Sequence, residues 1–452
     1  MAACSAVNFD KVGRNLGWEM DRERIYTFDI VKGIAILFLI PMHSLIYQIG
    51  KNDPSLFDPL MSAIPEEVIF LLAPVIVLSL WGPIFTLITG ANIAYGFLRV
   101  YRRDPNQSSA YILRRVLSAV LLILISRLTV FIFSGGMFEN GTFSLFNFKI
   151  RYYADTLDSI ALTGIIVPAF ILFIINKMKS RKSADPDSNV VKPRHIYVGL
   201  AIITLIWFVF TPIVHAVKPH VFDELTRRNW KLPLMVFGKM TMGRFRFFPI
   251  LGFGYVGAII GSAIQCNEKF HKIRQTAVLF FGVTLVFFLM WVFVADNPFE
   301  NIMSDNIPII IQIMNLGAMT FATILMLGYY DYCRPERRLR RIEKTLTIRR
   351  FSIVSLTIYI TESILAHGVY LFFEQFWKAA VSYVNQIPLL IWDATQIFVF
   401  MAVVFLIWII IVRLWEKVDF IFSLEWITIK VMALFSGNKK ARIDSHKILY
   451  GG

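Results

Sequence analysis

His43 lies inside the first long apolar run of this 452-residue chain, eleven positions after Lys32. A helix rises about 1.5 Å per residue, so this spacing sets the imidazole roughly 16 Å deeper than the ammonium, near the middle of a ~30 Å hydrocarbon core. An ionisable ring at that depth is costly, and such groups inside membranes mark proton relays, ligand sites or ion paths. The same count brings two more residues to that level. Arg127 follows Arg115 by twelve positions and Glu362 follows Arg350 by twelve, so each is expected about 18 Å inside its own span. An unpaired midplane guanidinium is strongly unfavourable, which makes Glu362 the expected partner of Arg127. That pair reads equally as a structural tie between helices or as a functional one. For His43 function is the stronger reading, because a packing role needs no titrating group. Pro41, two residues earlier, frees a carbonyl near Leu37 and is expected to open the helix beside the ring.

A second group of polar residues falls near the opposite face. Asp155 and Asp158 begin the fourth apolar run, His215 ends the fifth, and His367 and Asp393 stand near the outer ends of the last two. The 217–246 loop carries seven Lys/Arg, among them Arg244 and Arg246, beside an acidic 295–306 loop. A solvated interfacial loop explains each residue singly. Their local excess points to an exterior pocket for a polar or anionic acceptor. On the inner face Arg102, Arg103, Arg114, Arg115, Arg337 and Arg338 could hold a polyphosphate-bearing donor, since guanidinium forks suit phosphate. Orientation of the chain in a membrane explains the same arginines without a ligand.

The elements that must position these residues are membrane helices. The chain is 56% hydrophobic and only 17% charged, with a mean hydropathy of +0.61. Soluble domains carry about 25% charged residues, so an all-α polytopic integral membrane protein is expected. Ten spans are read near 30–49, 68–98, 112–134, 154–176, 196–216, 247–266, 276–294, 307–330, 351–376 and 386–412. With both termini cytoplasmic, inner segments hold 33 Lys/Arg and outer loops 11. The net charge of +15 therefore sets orientation and attracts anionic lipid or nucleotide phosphate, and nucleic-acid binding is disfavoured. No cleavable signal peptide is read ahead of the first span.

The division is a cytoplasmic segment 1–29, a membrane domain 30–412 and a cytoplasmic tail 413–452 with an interfacial amphipathic helix. The second span holds Pro74, Trp81-Gly82-Pro83 and Gly90, and is expected to kink or break. Cys4, Cys266 and Cys333 fall on the reducing side, which gives no disulfide framework. No Cys/His spacing indicates a metal site.

The pattern Arg24-x4-Asp29-x2-Lys32-Gly33-Ile-Ala-Ile-Leu-x5-His43 resembles the first span of the membrane acyltransferase superfamily. That group includes the family 3 acyltransferases, the heparan-alpha-glucosaminide N-acetyltransferase-like proteins and the YeiB-like proteins. Lys32 stands where that pattern has Arg. Later segments resemble it in order: Phe85 to Ala94, Asp155-x-Leu157-x3-Ala161-Leu162, and the proline-then-glycine run Phe248 to Gly261. Arg350 to Ser363 and Trp415…Leu424-Glu425-Trp426 follow, with Phe422-Ser423 in place of Gly-Pro. The resemblance covers about residues 22–430.

It implies transfer of an acyl group, often acetyl, from cytoplasmic acyl-CoA to a glycan or lipid-linked sugar reached from the other side. His43 would then be general base or transient acyl carrier. Arg24 and Lys32 would bind donor phosphates, with Asp29 orienting them, and Arg127 would stabilise oxyanion charge. A homodimer is compatible with this, as is residence in the cytoplasmic membrane of a prokaryote. Two rival classes stay open: a proton-coupled transporter, which the same charged plane would serve, and a non-catalytic membrane scaffold.

Overall fold

The computed structural model describes residues 24–49, 82–133, 138–139, 142–143, 154–181, 193–295, 307–384, 387–436 and 442–450. In chain order the helices are α1 (Tyr26–His43, running on into a π turn, Ser44–Ile49), α2 (Ile84–Arg103), α3 (Ser108–Phe133), α4 (Thr156–Arg181), α5 (Pro193–Arg227) and α6 (Lys231–Thr241). They continue with α7 (Phe247–Gln265), α8 (Phe270–Val294), α9 (Ile309–Tyr330), α10 (Pro335–Glu343), α11 (Leu346–Ile353), α12 (Ser355–Trp377), α13 (Ala394–Glu416), α14 (Leu424–Ser436) and α15 (Ser445–Tyr450). Two short antiparallel hairpins interrupt them: β1 (Phe138–Glu139) with β2 (Thr142–Phe143), and β3 (Val381–Val384) with β4 (Ile387–Leu390).

Among the described residues ten helices are long and apolar enough to cross a membrane, the number expected from the sequence. Whole faces of α5 and α8 stay uncovered, with Leu205, Phe210, Phe287, Met290 and Phe293 exposed. An aqueous surface rarely leaves so much contiguous apolar area open. Four boundaries differ from expectation. The fifth helix runs on from 216 to Arg227 and α6 follows, so the stretch expected as a 217–246 loop is helical except at 228–230 and 242–246. The second helix begins at Ile84, behind Pro83 at its N-cap, where the sequence marks a break; residues 68–81 of that expected span lie outside the described residues. The last span starts at Ala394 rather than 386, because Ile387–Leu390 pairs as a strand and Asp393 closes a capping box with Gln396. In the tail, turns over 417–423 separate α13 from the shorter helix α14.

The chain forms two compact units. The first comprises Met1–Phe28, Pro83–Phe131 and Gly136–Tyr332. Its core joins Ile93, Phe97 and Leu98 of α2 to Val167 and Ile171 of α4, Leu200 of α5 and Tyr255 of α7. α2 and α7 touch backbone to backbone: a Cβ on Gly257 would stand 1.9 Å from the Leu87 carbonyl oxygen, and one on Gly261 2.0 Å from that of Ala91. Small residues at such spacing let helices approach where apolar burial against lipid gives no drive to associate. The buried Asp331 carboxylate accepts from Thr27 N (2.8 Å), Thr27 Oγ1 (2.7 Å) and Tyr26 N (3.2 Å), so two of the orphan donors at the start of α1 are met.

The second unit comprises Asp29–Gly82, Ile132–Gly135 and Cys333–Gly452. Within it α1 meets α11 so closely that a Cβ on Gly33 would lie 2.1 Å from the Ile348 carbonyl oxygen. The π turn packs on α12 and α13. Glu425 at the start of α14 caps α12, accepting from Leu356 N (2.5 Å) and Thr357 Oγ1 (2.6 Å). The C-terminal helix α15 is held at both ends. Arg349 donates to the Leu449 carbonyl (2.8 Å), and Asp419 accepts from Ser445 N (3.1 Å) and Oγ (2.5 Å).

Candidate functional site

In the second unit His43 Nδ1 is hydrogen-bonded to Glu362 Oε1. The two helices are cut to bring them together. α1 gives way to a π turn directly after His43, two residues beyond Pro41, and that turn carries Tyr47 and Gln48 toward α12. π turns inside helices commonly sit at functional sites. α12 starts at Ser355, with only Val354 between it and the end of α11, so Glu362 stands about 11 Å along its helix. His43 stands about 26 Å along α1 from Tyr26, nearer the far end of that span than the count from Lys32 implied. His43 and Glu362 do share a level, as expected.

Glu362 is 2% exposed, and its Oε2 has no hydrogen-bond partner among the described residues. The imidazole is 21% exposed, and its Nε2 makes no hydrogen bond among the described residues. Tyr47 and Tyr359 set their rings edge-on to it, with centroids at 4.9 Å and 6.1 Å. Gln48 ties the π turn to α12. Its Nε2 donates to the Ser363 carbonyl (3.3 Å), and its Oε1 lies 3.0 Å from Nδ1 of His367. A carboxylate on one ring nitrogen fixes the tautomer and leaves the other for proton transfer.

Arg127 does not pair with Glu362. Its Nη2 donates to both oxygens of Asp158, at 2.8 Å and 3.0 Å, in the first unit. α3 begins at Ser108, not near Arg115, so Arg127 lies about 28 Å along it, beside the start of α4, where Asp158 meets its guanidinium. Lys239 of α6 donates to Asp158 as well. Asp155 accepts from Ser126 Oγ (2.6 Å), Leu157 N (2.8 Å) and Asp158 N (3.0 Å), which caps α4. The following turn is sewn to this end of α4, as Ser159 Oγ donates to the Phe245 carbonyl (2.6 Å).

The remaining expected site residues divide between the units. His215 is partly buried, with Nε2 unpartnered among the described residues, and the charges of Arg246 and Lys218 act on it. Arg246 is buried and donates to the Ile307 carbonyl (3.3 Å), and Arg244 lies in the 242–245 turn. Asp393 caps α13, a role that accounts for it without a ligand. Lys32 sets its charge against Glu425, whose carboxyl burial pushes above its ordinary range. Of the inner arginines, Arg102 donates to the Gln265 carbonyl and Arg115 to Tyr111 Oη (3.0 Å), whereas Arg103, Arg114 and Arg337 are exposed. Arg338 is half-buried on α10. Arg24 and Asp29 are half-buried at the start of α1.

Three residues of these sites went unassigned in the sequence. Lys239 was one of seven basic residues in the stretch 217–246, Gln48 a lone amide in an apolar run, and Glu425 part of a short Leu-Glu-Trp motif. Among the described residues no group of His, Cys, Asp or Glu could hold a metal ion. Comparison with protein-family models, with curated proteins and with solved structures finds no match to this chain.

Proposed function

We propose that the chain is a multi-pass integral membrane acyltransferase with ten spans and both termini cytoplasmic, moving an acyl group from acyl-CoA to a polar acceptor reached from the other side. The His43–Glu362 dyad is the observation that carries the reading. Glu362 holds Nδ1–H, so Nε2 is the base. It takes the proton of the acceptor hydroxyl or amine as that atom attacks the thioester carbonyl. The carbon–sulfur bond then breaks, and the departing thiolate recovers the proton from the imidazolium. Arg337, exposed on α10 in the same unit as the dyad, supplies a guanidinium group for donor phosphates. Lys32 is a weaker candidate for that task, because Glu425 already shares its charge.

The test is thermal-shift titration of purified protein with acetyl-CoA, free CoA and ATP. Stabilisation by the CoA species alone supports the enzyme. Silence toward all three counts against it. The unpartnered Oε2 of Glu362 favours a second reading, in which the dyad carries a proton for coupled transport. Acid-driven solute uptake into proteoliposomes, lost in Glu362→Gln, would select that alternative.

A further inference from the structure

The cluster in the first unit can be counted donor by donor. Every carboxylate oxygen in it is engaged. Asp158 accepts from Arg127, Lys239 and Asp155 N, and Asp155 accepts from Ser126 and two main-chain N–H groups. The cations are not spent. Arg127 uses only Nη2, so its Nε–H and both Nη1–H groups make no hydrogen bond among the described residues. Lys239 uses one ammonium hydrogen of three. Neither side chain is sealed: Arg127 is 24% and Lys239 13% exposed, beside an Asp158 that is only 4% exposed. The unused capacity at this place is all donor, and it belongs to two cations held rigidly by one buried carboxylate. A neutral ligand would meet those donors with weak acceptors. An anion would meet them with charge-assisted bonds, which are about twice as strong.

We infer that Arg127 and Lys239 form a binding site for an anionic group, a phosphate or carboxylate. Asp158 is the positioning residue, fixing the fork of Arg127 and the ammonium of Lys239 on one side so that their other hydrogens face outward.

The test is thermal-shift titration of full-length protein in neutral detergent, at fixed ionic strength and without acyl-CoA. The probes are dodecyl phosphate, glucose 6-phosphate, glucuronate and glucose. Saturable stabilisation by an anionic probe and none by glucose is expected. Dodecyl phosphate alone identifies a lipid-borne phosphate, both phosphates together a phosphate on a soluble or lipid carrier, and glucuronate a carboxylate. Lys239→Met should weaken the effective probe tenfold or more, and Lys239→Arg should retain it. Equal stabilisation of Lys239→Met, an equal effect of glucose, or no effect of any probe overturns the site. Should Lys239→Met fail to fold, Lys239→Gln takes its place in the same titration.

Discussion

At the scale of single residues, the two ionisable groups placed level by counting along the sequence, His43 and Glu362, are hydrogen-bonded, while the third, Arg127, belongs elsewhere. Glu362→Gln keeps a hydrogen-bonding group of the same shape but no longer stabilises the imidazolium. Transfer should fall by about 10²–10⁴ with the melting temperature little changed, which steady-state rates beside a melting curve will read. Arg127→Met and Glu362→Leu should act independently, because the two residues share no partner. Whatever each does alone, the stability change of the double variant should equal their sum to within about 0.5 kcal/mol in a denaturation series. A coupling well above that would mean the two sites communicate.

At the scale of elements, helix contacts depend on close approach as much as on apolar area. Gly257→Ala drives a Cβ into the Leu87 carbonyl of α2, so a loss of about 1–3 kcal/mol or failed expression is expected. Gly282→Ala on α8 meets nothing within 4 Å. It should be neutral, or stabilising by up to about 1 kcal/mol through helix propensity, and side-by-side melting curves will separate the two. The C-terminal helix gives a prediction with a pH sign. The Ser445 hydroxyl beside Asp419 holds that carboxyl below its usual range. Its contribution to the latch is therefore complete above the ordinary carboxylate value of about 3.9 and is lost as pH falls through the lower folded value. At neutral pH Asp419→Ala should mimic that loss, and trypsin should cut after Lys447 sooner than in the parent protein.

At the scale of the whole molecule, the number of long apolar helices was legible because hydropathy over about 20 residues is a strong signal. Their ends were less so. Depth counted from Arg115 or Arg350 treats the basic residue as the helix start, yet α3 begins seven residues before Arg115 and α12 begins after a break at Val354. Arg127 instead meets Asp158 at the start of α4, a partner that counting along single spans does not reveal. Lys239 could not be chosen among the seven basic residues of 217–246, because only the return of α6 beside the first turn of α4 singles it out. Glu425 and Asp331 cap helices far away in sequence, and no local pattern announces such a contact. The central claim is acyl transfer based on His43. It is tested most directly by following CoA thiol release from acetyl-CoA by the purified protein, with and without a panel of amino-sugar and sugar-phosphate acceptors, in parent and His43→Ala protein. The account predicts acceptor-dependent release that falls at least about 10²-fold in His43→Ala while the protein stays folded. Acceptor-dependent release that is undiminished in His43→Ala would contradict it.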